Sequence, residues 1–148
     1  FWGAKQVMAF SDEDIDTIIG TGKLSDPKAV AYLAECLRER RDKIGRIYFA
    51  KVLPFDRFRV EGGRLSWDDL SQVRSAAGVK DTQVRWSLFD NATNTKTAIP
   101  GAVSAEVPAE GEYLAAEISC TARPKQTVTA YVRRNGGATK VVGIDRTW

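Results

Sequence analysis

A length of 148 residues suits one domain or two subdomains sharing an interface, and an apolar share of 43% is enough to build one sizeable core. Basic residues outnumber acidic ones by 22 to 19, so the net charge of +3 makes no nucleic-acid footprint unless it gathers on one face, and no specific nucleic acid is expected as a partner. Histidine is absent, which excludes Ser-His-Asp, Cys-His and zinc-His chemistry within the chain. No apolar run approaches the roughly 20 residues of a transmembrane helix, and no charged and apolar leader stands at the front. The chain opens on Phe1, Trp2 and Gly3 rather than Met, which reads as a boundary inside a longer protein.

Ser11, followed by Asp12, Glu13 and Asp14, marks a helix start, because a serine oxygen caps free amide groups and carboxylates suit the positive end of the helix dipole. This helix is expected over 11–22, with Ile15, Ile18 and Ile19 as its apolar stripe. Asp26-Pro27 starts a second helix over 27–50, with Val30, Leu33, Leu37, Ile44 and Ile47 at helical spacing and a mixed-charge band, 38–43, in its middle. In that band Arg38 and Asp42 stand four apart, as do Glu39 and Lys43, and Gly45 is a weak spot unless something packs close to it. The helical segment is expected to close by about residue 55, at Pro54, with a β-rich segment over 56–148.

Gly62-Gly63 between Phe58–Glu61 and Arg64–Trp67 predicts a β-hairpin. Ser66 with Asp69 resembles a capping box for a short helix carrying Leu70 and Val73 and stopped by Gly78. From Thr82 the period becomes two, with Val84, Trp86 and Leu88 alternating with Arg85, Ser87 and Phe89. Further strands are predicted over Val103–Val107, Tyr113–Cys120, Thr127–Arg134 and Thr139–Arg146, the last two joined by Asn135-Gly136-Gly137.

Phosphate-cradling glycine loops and the nucleophile elbow are missing, so no cofactor and no catalytic residue is expected. Asp12, Asp14 and Asp16 alternate like calcium-loop ligands, but Thr17 and Lys23 fall where such a loop needs Gly and Glu, so no metal is expected. Nothing singles out a carboxylate pair of the glycosidase kind. Cys36 and Cys120 show no ligand spacing and read as free buried thiols, the alternative being one long-loop disulfide. Arg85, Arg133, Arg134, Lys140 and Arg146 place cations on strands, where they would line a polar sheet face beside Tyr131. Trp67 and Trp86 suit packing, whereas an ordered Trp148 at the chain end would have to dock against something. The candidate binding residues are therefore Tyr131, Arg133, Arg146 and Trp148.

The expected class is α+β, with N-terminal helices, then a hairpin and short helix, then a C-terminal antiparallel β-sandwich. Glu110-Gly111-Glu112-Tyr113 resembles the turn into a corner-capping tyrosine of immunoglobulin-like sandwiches. The alternative is a curved sheet wrapped by helices, since 131–134 and 140–144 resemble the closing strands of the nuclear-transport-factor-2 superfamily. The stretches 1–10 (FWGAKQVMAF), 39–45 (ERRDKIG), 89–91 (FDN) and 141–148 (VVGIDRTW) resemble the C-terminal region of a group of large bacterial proteins with no established activity. That resemblance implies a piece of a longer chain, exported or associated with the envelope.

The function expected from these features is a non-catalytic accessory or interaction module, whose partner is an upstream domain of the same chain or another protein. The alternatives are a ligand-binding or enzymatic pocket of the curved-sheet type and a carbohydrate-binding sandwich. Coplanar exposed aromatic rings would mark the last.

Overall fold

Two of the three helices begin where the sequence supplies a partner for their free amide groups. The computed structural model describes residues 1–72 and 78–147, and the chain divides into two units, Phe1–Lys51 and Val52–Trp148.

The first unit holds α1 (Trp2–Met8), α2 (Asp12–Gly20) and α3 (Pro27–Phe49). At the head of α2 the Asp14 amide donates to Ser11 Oγ at 3.0 Å and the Ser11 amide donates back to Asp14 Oδ2 at 2.8 Å, a reciprocal capping box. The hydrogen bonds from the Ser11 hydroxyl and amide hold the Asp14 carboxyl below the ordinary aspartate range. Asp26 accepts from the Lys28 amide at 2.9 Å, and Pro27 occupies the first turn of α3. Helix α1 was not expected from the sequence, and its cap, Phe1, makes no side-chain hydrogen bond.

The buried face of α3 differs from the expected stripe. Ala34, Arg41, Gly45 and Phe49 are buried, while Leu33, Leu37 and Ile47 are exposed. Small residues decide this. Ala34 joins Val30, Ile15 and Ile19 in a small cluster, and Gly45 lies against Met8, whose Sδ a Cβ at that position would strike. Arg41 is buried and paired by charge: it donates to Phe10 O at 2.9 Å and to Asp42 at 2.9 Å, and its Nη2 lies 2.8 Å from Asp12 Oδ1. Arg38 binds Asp16 and lies 3.8 Å from Asp12, so the expected Arg38–Asp42 pair is replaced by bridges from α3 to α2.

The second unit begins with a hairpin of β1 (Phe55–Glu61) and β2 (Arg64–Asp69), turning on Gly62 and Gly63 at φ +57° and +76°, values that favour glycine. A bulge between Asp56 and Arg59 puts Arg57 at φ 51°. Asp68 receives Arg59 at 2.9 Å and Arg57 at 3.3 Å, and the Arg59 hydrogen bond is the main cause holding its carboxyl low. The expected capping box at Ser66 and Asp69 does not form, because both residues lie in β2. Ser66 Oγ instead donates to Arg59 O at 3.4 Å. Asp69 accepts from the Ser71 and Val79 amides at 2.9 and 2.6 Å, and a three-residue 3-10 turn, Leu70–Gln72, follows β2. Val73 and the rest of the expected short helix before Gly78 lie outside the described residues.

Next come β3 (Thr82–Asp90), β4 (Thr95–Ala98), β5 (Tyr113–Cys120), β6 (Val128–Asn135) and β7 (Ala138–Arg146), in one open antiparallel sheet of order β4-β3-β5-β6-β7. The α+β class with a C-terminal antiparallel sheet therefore stands. Its second layer is the hairpin: Phe55 and Leu65 pack with Val84, Trp86, Leu114, Ile118, Val128 and Val132 in one buried core. Trp86 is 1% exposed and donates from Nε1 to Ser104 O at 2.8 Å.

The strand expected over Val103–Val107 is instead a crossing segment whose regular pairing is a single bridge, Glu106 with Arg64. Along 99–107 the backbone bonds first to β3 and then to the β1–β2 hairpin. Ile99 N donates to Trp86 O and Trp86 N to Ala102 O on one side, while Leu65 N donates to Ala105 O and Val107 N to Gly63 O on the other. The segment thus laces the edge of β3 to the hairpin.

Candidate functional site

Strand parity sends Val84, Trp86, Leu114, Ala116, Ile118, Val128, Ala130 and Val132 into the core, so the intervening residues form the opposite face of the sheet. Register then arranges those residues in three transverse rows. Lys96 stands opposite Phe89, and farther along the same end of the sheet Tyr113 stands opposite Arg133 and Arg133 opposite Lys140. The next row is Ala98, Ser87, Ala115, Tyr131 and Gly143, in which Tyr131 is the one large side chain. The third is Arg85, Glu117, Thr129 and Asp145.

The middle row is a trench, because alanine, serine and glycine sit where alternating strands usually carry larger groups. Tyr131 leans across it: its ring centroid is 4.8 Å from that of Phe89, with the planes tilted by 55°. Lys96 Nζ lies 5.2 Å from the Tyr131 centroid, and the Arg133 guanidinium 5.1 Å from the Tyr113 ring. Arg133 also donates to Glu112 Oε1 at 3.1 and 3.2 Å. The empty half of the trench is a depression of about 210 Å³. Ser87, Ala98 and Ala115 line it from the middle row, Arg85, Glu117 and Thr129 from one flank, and Lys96 from the other. Ile99, Ala102 and Val103 add an apolar lip.

The four residues singled out from the sequence do not share one place. Tyr131 and Arg133 lie on this outer face. Arg146 lies opposite Val128 on the core side, 11% exposed, with Nη2 3.7 Å from Asp56 Oδ1. Burial weakens its hold on its proton, and Asp56 offsets part of that loss. Trp148 lies outside the described residues. Of the five strand cations, Arg85, Arg133 and Lys140 face outward, whereas Arg134, on the core-side parity, turns to the carbonyls of Pro108, Ala109 and Gly111. Ser87, Ala98 and Ala115, which make the trench, were missed. Their signal in the sequence was parity: Ser87 and Ala115 fall between apolar strand positions.

The N-terminal carboxylates are engaged elsewhere, Asp14 in the capping box and Asp12 and Asp16 with arginines of α3. No group of three or more metal-ligating side chains is present among the described residues. Both cysteines are free, Cys120 buried and Cys36 half-buried. Among the described residues no helix is long and apolar enough to cross a membrane. No family model, curated protein or solved structure matches the chain.

Proposed function

We propose that the chain is a non-catalytic interaction module whose working surface is the outer face of the five-stranded sheet and whose partner is a polypeptide. The observation that carries this is the pairing of half-buried aromatic rings and cations, Phe89, Tyr131 and Lys96 with Tyr113 and Arg133, beside a trench of small residues. Aromatic and arginine side chains supply most of the binding energy at protein interfaces, because they bury large areas at a small entropic cost. A carbohydrate platform fits less well. Trp86 is in the core, Trp67 packs on Phe55 and Phe58, and the Phe89 and Tyr131 rings are tilted rather than coplanar.

A photo-crosslinking residue at Phe89, in the chain produced in its host cell, tests the proposal. A discrete polypeptide adduct is expected, lost when Lys96→Glu is added and absent with the crosslinker at exposed Lys28 on α3. Equal labelling from Phe89 and Lys28 would remove the sheet face from the argument.

A further inference from the structure

We propose that the depression beside β4 seats one carboxylate side chain, Asp or Glu, of the partner polypeptide, an assignment that rests on the sheet face being the binding surface. At about 210 Å³ the space falls below the roughly 300–1,000 Å³ of sites that enclose a drug-sized ligand or cofactor, and it matches a single side chain. Its charge is specific. Two cations, Arg85 and Lys96, face one carboxylate, Glu117, so the lining carries a net charge of +1 that a single negative group neutralises. A dianionic phosphate would leave a negative charge uncompensated beside Glu117, which favours a monoanion. Among the described residues neither Arg85 nor Lys96 takes part in an ion pair, and with Lys96 resting over the Tyr131 ring both charges still lack a carboxylate, which an incoming acid would supply. The hydroxyls of Ser87 and Thr129 add hydrogen-bonding groups, while Ile99, Ala102 and Val103 offer an apolar wall to the methylene stem.

Blocked tripeptides Ala-Glu-Ala, Ala-Gln-Ala and Ala-phosphoserine-Ala, titrated into the isotope-labelled chain and followed by amide NMR, test this directly. The Glu peptide is expected to shift the amides of Ser87, Ala98 and Ala115 saturably, and the Gln peptide to leave them in place. Arg85→Gln or Lys96→Gln should weaken the Glu peptide roughly two- to fivefold, the scale of an exposed ion pair, and Glu117→Gln should tighten it by a similar factor. Ala115→Leu, which fills the trench floor, should abolish the shifts while the amides of the buried strand positions keep their spectrum. An equal response to Gln, or tighter binding of the phosphoserine peptide, would overturn the carboxylate assignment. Shifts confined to Phe89, Tyr113 and Tyr131 would overturn the seat while leaving the sheet face as the binding surface.

Discussion

The two faces of the five-stranded sheet are built from the same strands and carry different loads. On the inner face Leu114, Ile118, Val128 and Val132 are fully buried against the hairpin, with Trp86 at the centre. On the outer face parity delivers small residues, cations and half-buried rings, and the trench at Ser87, Ala98 and Ala115 is left unfilled. The inner face holds the layers together through apolar area removed from water. The outer face contributes little to that core.

The comparison breaks most easily at Trp86. Trp86→Ala should cost about 3–5 kcal/mol in urea unfolding, since it removes the largest fully buried side chain and the Nε1 hydrogen bond to Ser104. A loss under 1 kcal/mol would mean the inner face is not the stabilising one. Arg134→Ala comes next, at about 1–3 kcal/mol, because the carbonyls of Pro108, Ala109 and Gly111 lose their common donor. Amide hydrogen exchange at Glu112 and Tyr113 should report that loss before residues farther along β5 do.

The smallest effect concerns Asp90, at the end of β3, which accepts from the Ala92 and Thr93 amides at 2.8 and 3.3 Å. Hydrogen bonds from the Thr93 side chain and these amides hold its carboxyl below the ordinary 3.8. With the folded value depressed, the contribution is complete above the unfolded value and disappears as pH falls through the folded one. Asp90→Ala should therefore be slightly less stable than the parent at neutral pH and indistinguishable from it well below 3.8, as measured by urea midpoints across that range.

Much of this architecture was legible residue by residue. Ser11 with Asp14 and Asp26 with Pro27 marked α2 and α3, because the caps are local hydrogen bonds that need no tertiary partner. The glycine pairs at 62–63 and 136–137 marked the β1–β2 and β6–β7 hairpins through their positive φ, and β5 runs over the expected Tyr113–Cys120. Helix α1 escaped notice because Phe1 makes no side-chain cap and no acid stands in its first turn. Strand β4 escaped because all four of its residues are exposed, leaving no alternation to read. Tyr131 and Arg133 were singled out for their chemistry, and both lie on the outer face. The residues that make the depression were not, since alanine and serine announce nothing until their neighbours are known.

By itself the sequence determined the α+β order, the capped starts of α2 and α3, the glycine hairpin turns and the parity of the alternating strands, all properties of residues a few positions apart. Tertiary structure decided which face of α3 is buried, since close approach at Ala34 and Gly45 outweighed the larger leucines. It also decided that Ala98, Ser87, Ala115, Tyr131 and Gly143 share one row, because cross-strand register depends on pairing between segments far apart in the chain.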